Sequence, residues 1–192
     1  LEGDEVELYL DRTPMYAEGG GQVGDIGVIE GPAGTVEVRD VQRQGEAHAH
    51  YGVVSSGAIS TDEEVQVDVD EEARWSTMRP HSATHLVHRA LRIVLGENAT
   101  QAGSYVAPDT CTFDFNLDRG VLPEEIESVF RIVNRKVRDD LARDVHVMPL
   151  KDARRSGAMM LFGEKYDEVV RVATFGDFSR EPRGSTAVVQ IG

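Results

Sequence analysis

The chain has 192 residues, 40% hydrophobic and 28% charged, which is typical of a globular protein with room for one large or two small domains. Its formal net charge of −14 argues against a generic nucleic-acid-binding surface, because nonspecific affinity for nucleic acid depends on cations at the phosphates. No apolar run approaches the roughly 20 residues that span a bilayer, and the single cysteine, Cys111, rules out an internal disulfide. We therefore expect no membrane contact and a cytoplasmic location.

Residues 1–75 alternate apolar and polar side chains with a period of two. The alternation covers 6–10, 36–39 and 65–69, with turn residues at Gly31, Pro32, Gly34 and Gly57. No helical period interrupts this pattern before residue 70, where it changes to a helical one. The sequence predicts a small antiparallel β-barrel-like subdomain over residues 1–75.

Residues 76–192 mix helical and strand patterns. A helix is predicted over 80–95, with Pro80 in its first turn and Gly96 at its end, and a second helix is predicted to start at Pro123. Strands are predicted at 101–107, 111–116, 145–150, 169–175 and 187–191, with a turn at 108–109 between the first two. This predicts a larger α+β subdomain with helices on an antiparallel sheet, and an α+β fold class for the chain.

Charge is distributed unevenly between these two parts. Residues 1–75 contain 18 acidic and 4 basic residues, whereas residues 76–192 contain 16 of each. The segment 131–155 contains eight of the basic residues against four aspartates. It is either a positive face that meets a phosphate backbone or a solvated amphipathic helix balanced by its own acids.

Two histidines, His81 and His85, lie four residues apart within the first predicted helix. Residues at this spacing share a helix face, so both imidazoles can approach one metal ion while two further ligands come from elsewhere. Ser82 occupies the position of the glutamate that a zinc protease uses as its general base, which argues against peptide hydrolysis of that type. The pair by itself indicates half of a zinc site.

The segment 11–25 contains three consecutive glycines, Gly19, Gly20 and Gly21, followed by Gln22. Glycine permits positive φ and close approach of the backbone to a ligand. The spacing matches neither a P-loop nor a dinucleotide-binding fingerprint. A ligand-contacting loop and a flexible hairpin remain as alternatives.

Together these motifs resemble the editing domain of alanyl-tRNA synthetases and of free-standing alanyl-tRNA editing proteins. The resemblance runs in order through 11–25, 81–86, 101–106, 113–115, 161–166 and 178–181. It implies a hydrolase that cleaves the ester of tRNA(Ala) mischarged with serine or glycine, with the acceptor end of tRNA as partner. It also implies that the chain is part of a longer multidomain protein or a free-standing one, without the aminoacylation domain.

The resemblance assigns site residues by position. Substrate contacts are expected at Gly19, Gly20, Gly21, Thr84 and Gly184, and catalytic roles at Gln22, Arg183 and Thr186. The family motif Cys-Gly-Gly-Thr-His completes a zinc site with the two helical histidines, but here it is Arg183-Gly184-Ser185-Thr186-Ala187. A guanidinium has no lone pair to offer a metal, so with Arg183 and Ala187 in place of both ligands we expect weak or no zinc binding.

Two functional readings follow from this pattern. The first is an active editing hydrolase with weak or metal-free turnover. The second is a degenerate editing-like module that binds tRNA or an aminoacyl ester without hydrolysis. A site that acts on a non-standard aminoacyl ester is a third possibility, motivated only by the altered motif.

Overall fold

A computed structural model describes residues 1–156, 168–182 and 190–191 and has the α+β fold that the sequence predicts. The chain divides into two compact units. The first comprises Leu1–Thr77 and Ala107–Asp109, and the second comprises Met78–Val106 and Thr110–Gly192. Within the described residues, no helix is long and apolar enough to cross a membrane.

The first unit contains one antiparallel sheet of five strands. The strands are β1 (Glu5–Tyr9), β2 (Gly27–Glu30), β3 (Gly34–Gln44), β4 (Ala47–Gly57) and β5 (Gln66–Val69). Their order is β1-β4-β3-β2-β5, so β1 and β5 are the edges and are not paired with each other in the described chain. The antiparallel β structure is as predicted, but the sheet does not close into a barrel.

The core of this sheet follows the period-two pattern of the sequence. Val36 and Val38 on β3 are 1% and 2% exposed, and the residues between and beside them point outward. They pack with Met15, Ile29 and Val54, which are also buried. The side chain of Met15 belongs to the glycine-rich segment, so this segment is anchored to the core of the first unit.

Helix α1 (Glu71–Leu95) starts nine residues earlier than predicted, and Pro80 lies inside it instead of in its first turn. Asp70 provides the start signal, because its Oδ1 accepts the backbone N–H of Ala73 at 2.9 Å and so caps the first turn. At the other end, Gly96 has a φ of 99° and donates its N–H to Arg92 O at 3.1 Å, as expected for a glycine that ends a helix.

The rest of the chain supplies two further helices and six strands in the described residues. They are β6 (Thr100–Ala107), β7 (Thr110–Asn116), α2 (Pro123–Arg138), β8 (Leu141–Pro149), α3 (Leu150–Arg155), β9 (Val169–Phe175), β10 (Ser179–Pro182) and β11 (Gln190–Ile191). Strands β6 and β7 form a two-stranded sheet, and β10-β9-β8-β11 form a four-stranded antiparallel one. Residues 187–189 of the predicted last strand lie outside the described residues.

Two buried clusters of the second unit hold α1 in place. Leu86 is fully buried with Phe175 of β9, and Ala90 and Leu91 are buried with Val129 of α2. The buried residues of α1 recur at spacings of three and four, as the 3.6-residue period of a helix requires. This face of α1 includes both histidines singled out from the sequence.

Candidate functional site

The glycine-rich segment forms a hydrogen-bonded hairpin turn at Gly19–Gln22. The backbone N–H of each of these two residues donates to the carbonyl of the other at 3.0 Å. Between them Gly20 and Gly21 have φ values of 58° and 82°, a pair of left-handed conformations that two-residue hairpin loops use and that glycine adopts without strain. The Tyr16 hydroxyl donates to Gly19 O at 2.8 Å, so the turn has a defined shape. The residue that follows, Gln22, is 1% exposed.

The buried carboxylate of Asp25 connects the end of this segment to its beginning. Asp25 accepts the backbone N–H of Tyr16 at 2.6 Å and two hydrogen bonds from the Arg74 guanidinium. Arg74 also donates to the carbonyl oxygen of Pro14 at 2.8 Å. The guanidinium at the start of α1 therefore joins both ends of the hairpin, and charge-assisted bonds of this kind are among the stronger ones in proteins.

A buried histidine of β4 positions the beginning of the same segment. His50 is 1% exposed; its Nδ1 lies 3.1 Å from Leu8 O and its Nε2 lies 2.9 Å from Thr13 Oγ1. Because a carbonyl only accepts, Nδ1 carries the proton and Nε2 accepts from the Thr13 hydroxyl. Thr13 Oγ1 in turn accepts the backbone N–H of Met15 at 3.1 Å. Burial lowers the pKa of His50, and the bond to Leu8 O offsets only part of that effect.

Close backbone packing completes the hairpin. A Cβ atom added to Gly24 would lie 2.5 Å from Val41 O, a distance that real Cβ atoms do not reach. The N–H of Glu18 donates to the same carbonyl at 2.7 Å. Glycine at position 24 thus allows the segment to lie directly against β3.

The histidine pair of α1 is fully buried in the second unit. His81 is 0% and His85 1% exposed, and their ring centroids lie 5.6 Å apart with a tilt of 58°. The His85 ring lies 5.7 Å from the ring of Phe175. Thr84, 3% exposed, donates its hydroxyl to the carbonyl of His81 at 2.6 Å, which leaves its oxygen able to accept.

The chain is similar to alanine–tRNA ligases along its whole length. Identity is 48% over all 192 residues with the alanine–tRNA ligase of Aromatoleum aromaticum, of which the chain covers 22%. It is 50% over 91% of the chain with that of Roseiflexus castenholzii and 46% over 99% with that of Xanthomonas axonopodis pv. citri, with 19% and 22% of those proteins covered. The chain is homologous to a segment of alanine–tRNA ligases.

A family model supports this relationship. Residues 1–73 match the model described as tRNA synthetases class II (A). The chain spans about a fifth of the length of the alanine–tRNA ligases that it matches. This agrees with the coarser part of the sequence-based prediction, namely a relationship to alanyl-tRNA synthetases.

The zinc site that the editing-domain resemblance implies is not complete in the part of the chain that the structure describes. Two imidazole donors, on His81 and His85, lie together, but no group of three or more His, Cys, Asp or Glu side chains suited to a metal occurs among the described residues. The resemblance implies that the other two ligand positions are Arg183 and Ala187, and neither side chain has a donor for a metal. Arg183 and Ala187 therefore do not fit a four-ligand zinc site.

The predicted site residues thus fall into three groups. Gly19, Gly20, Gly21 and Gln22 form one turn of the first unit, and Thr84 lies with both histidines on α1 of the second. The remaining candidates lie outside the described residues: Arg183, Gly184, Thr186 and Ala187.

Several positioning residues escape the sequence patterns. Asp25 stands at the end of the glycine-rich segment, yet nothing in the sequence pairs it with Arg74, 49 positions away. His50 belongs to β4, a strand that the sequence analysis does not predict. In β4 the buried positions 50, 52 and 54 alternate with the half-buried positions 51 and 53, but the apolar residues Tyr51 and Val53 are at the half-buried positions, so the sequence pattern does not indicate a buried histidine.

Proposed function

We propose that this chain is an editing domain of the alanyl-tRNA synthetase type, which hydrolyses the ester of tRNA(Ala) mischarged with serine or glycine. The observation that carries the proposal is the 48% identity with an alanine–tRNA ligase over all 192 residues. The hydrogen-bonded glycine turn and the buried histidine pair support it, because both coincide with motifs of the editing-domain resemblance. The acceptor end of tRNA is the proposed partner, and the cytoplasm is the proposed location.

The proposed reaction adds water to the carbonyl carbon of the aminoacyl ester. The carbonyl oxygen becomes an oxyanion, the bond to the ribose oxygen then breaks, and the ribose takes up a proton as the free amino acid leaves. We assign the Gln22 amide to ordering water or substrate, because an amide both donates and accepts. Arg183 is assigned to the oxyanion or the terminal phosphate, and Thr186 to water or substrate.

Selectivity for serine over alanine requires recognition of a small polar group. A site built to hydrogen-bond a hydroxyl favours serine over an isostere that lacks it. The oxygen of Thr84 suits this role, since its own proton is donated to the His81 carbonyl. Backbone contacts from Gly19, Gly20, Gly21 and Gly184 are the proposed complement, because glycine lets a substrate approach the main chain.

A second candidate function is binding without hydrolysis. It is favoured by one observation, the presence of Arg183 and Ala187 where the editing motif has its cysteine and histidine. On this reading the chain recognises tRNA or an aminoacyl ester and releases it unchanged. Zinc, if bound, is held weakly by two imidazoles in either case.

Deacylation of Ser-tRNA(Ala) and Gly-tRNA(Ala), measured with and without added zinc, tests the proposal. We expect release of serine or glycine that exceeds release of alanine from Ala-tRNA(Ala). Gln22→Ala is expected to lower the rate by about 100- to 1,000-fold, the range for loss of one positioned hydrogen-bond donor. Gln66→Ala, at an exposed position of β5, is expected to leave the rate unchanged. Binding of both charged tRNAs without turnover establishes the second function, and absence of binding and of turnover refutes both.

Restoring the two ligand positions tests whether their replacement is the reason for weak zinc binding. Arg183→Cys combined with Ala187→His supplies the two missing donors. We expect close to one zinc per chain by elemental analysis of this variant, against a substoichiometric amount in the unaltered chain. One tightly held zinc in the unaltered chain contradicts the assignment of Arg183 and Ala187 to the ligand positions.

A further inference from the structure

The two edges of the five-stranded sheet line one groove. Its volume is about 920 Å³, within the range of about 300–1,000 Å³ that ligand sites occupy. Its lining includes Tyr9 and Leu10 at the end of β1, and Val65 and Val67 at β5. We call this cavity the edge groove. All of its lining residues belong to the first unit.

The floor of the edge groove is apolar and its walls are strand edges. Leu10, Val65 and Val67 are partly buried against the core cluster of the first unit. In the described chain β1 pairs only with β4, and β5 only with β2. Each therefore presents one side with backbone groups that a further strand can pair with.

The rim of the edge groove is acidic. Asp11, Asp62, Glu63 and Glu64 line it, against one basic residue, Arg12. The sequence around it has the same sign, with 18 acidic and 4 basic residues over 1–75. This charge repels a phosphate backbone and equally a second copy of the chain, and it attracts a cationic ligand.

We propose that the edge groove binds a basic, extended peptide segment of a partner protein by strand addition. The peptide backbone pairs with the free edge of β1 or β5, alternate apolar side chains enter the floor, and the lysines or arginines between them face the acidic rim. Main-chain hydrogen bonds provide affinity, and the acidic rim makes the groove selective for basic peptides. This interaction is separate from the proposed deacylation, and its test does not depend on that activity.

A synthetic peptide of eight alternating lysine and valine residues is the probe, with fluorescence anisotropy at low and physiological salt as the measurement on the full 192-residue chain. We expect saturable binding, and at least tenfold weaker binding for the peptide in which glutamate replaces lysine. A version with N-methyl groups on alternate backbone nitrogens keeps the charges and side chains but loses strand donors. It is also expected to bind at least tenfold more weakly.

Two charge-reversal variants localise the contact. Asp11→Lys with Glu64→Lys changes the rim and is expected to weaken binding at least tenfold. Glu2→Lys with Glu46→Lys makes the same change in net charge at exposed positions away from the groove and is expected to weaken peptide binding less than threefold.

Equal weakening by both pairs, or equal affinity for the N-methylated peptide, overturns strand addition in the edge groove. A concentration-dependent dimer in sedimentation, or tighter binding of an RNA oligomer that the rim variant abolishes, assigns the groove to another occupant and also overturns it.

Discussion

The turn at Gly20 and Gly21 depends on two consecutive residues with positive φ. At a φ of 82°, Gly21 is in a conformation that costs an L-residue with a Cβ about 1–2 kcal/mol. We expect Gly21→Ala to lower the free energy of unfolding by this amount in chemical denaturation. Gly21→Asn is expected to lose less, because asparagine tolerates the left-handed region better than alanine does.

A glycine without these constraints provides the control. Gly120 has no positive φ, and a Cβ added there meets nothing within 4 Å. Gly120→Ala is therefore expected to leave stability unchanged or to raise it slightly, because alanine reduces the entropy of the unfolded chain. Equal destabilisation by Gly21→Ala and Gly120→Ala would show that the hairpin conformation does not restrict position 21.

The buried imidazole of His50 makes stability depend on pH. Its pKa in the folded state is lowered by burial, so below about pH 6.5 the unfolded chain takes up a proton more readily than the folded one. The free energy of unfolding therefore falls as the pH drops from about 6.5 towards the lowered pKa, and it levels off below that value. His50→Asn, which keeps a donor near Leu8 O, is expected to remove this part of the pH dependence.

Denaturant titrations at several pH values between 7.5 and 5 measure this effect. The control is His146→Asn on β8, because His146 is exposed and its replacement leaves the buried network of the first unit intact. We expect the control to retain the slope of the unaltered chain over this range. A slope that is the same in both variants would place the titrating group elsewhere.

Among the elements, the hairpin and the start of α1 are coupled through one ion pair. The side chain of Asp25 is 5% exposed, and it accepts from Arg74 as well as from the backbone N–H of Tyr16. Asp25→Asn replaces one accepting oxygen by a donor that faces donors. We expect a loss of about 1.5–3 kcal/mol in the free energy of unfolding, the range for hydrogen bonds to charged groups.

An exposed pair on β3 is the matched control for this change. Glu37 and Arg39 lie 3.8 Å apart with side chains 58% and 60% exposed. Solvent-exposed pairs of this kind contribute about 0–1 kcal/mol, so Glu37→Gln is expected to have little effect. If Asp25→Asn lowers the free energy of unfolding no more than Glu37→Gln does, the ion pair between Asp25 and Arg74 does not stabilise the hairpin.

Strong local periodicity is what made most elements predictable. Strands β1, β5, β6, β7 and β9 and helix α2 lie within a few residues of their predicted ranges, because alternation, Pro123 and the turn at 108–109 specify them locally. The predicted start of α1 was wrong because Pro80 was assigned to the first turn, although the pattern already changes to a helical one at residue 70. Strand β2, only four residues long, is defined by its pairing with β3 and β5 and has little local signal.

The candidate site was predictable only in its local parts. The glycine turn and the two histidines at i and i+4 are read directly from the sequence, because each forms within a few residues. The partners that fix the turn are Asp25 with Arg74 and His50 with Thr13. They are brought together by tertiary structure over separations of 49 and 37 residues, which no local pattern encodes.

For the molecule as a whole, the distribution of charge predicts that the second unit contacts the phosphates if tRNA is the partner. In the α2 segment, Lys136 Nζ lies 2.9 Å from Asp139 Oδ2, so the amphipathic-helix reading holds for that residue. Arg135 and Arg138 are exposed on α2, and neither forms an ion pair within the described part of the chain. Together with Arg131, which donates to Ser128 Oγ at 3.0 Å, these two guanidinium groups are the cations of this helix outside the Lys136–Asp139 pair.

If tRNA is the partner, neutralising these groups changes how binding depends on salt. Each phosphate contact that is lost lowers the slope of the logarithm of affinity against the logarithm of salt concentration by about 1. We expect Arg135→Gln with Arg138→Gln to weaken tRNA binding and to reduce this slope by about 2, measured by filter binding between 50 and 200 mM salt. Arg12→Gln with Arg39→Gln removes the same charge from the acidic first unit and is expected to leave the slope unchanged. Equal slopes for both variants would show that α2 does not contact the phosphate backbone, because counterion release depends on cations placed at phosphates and not on the total charge of the protein.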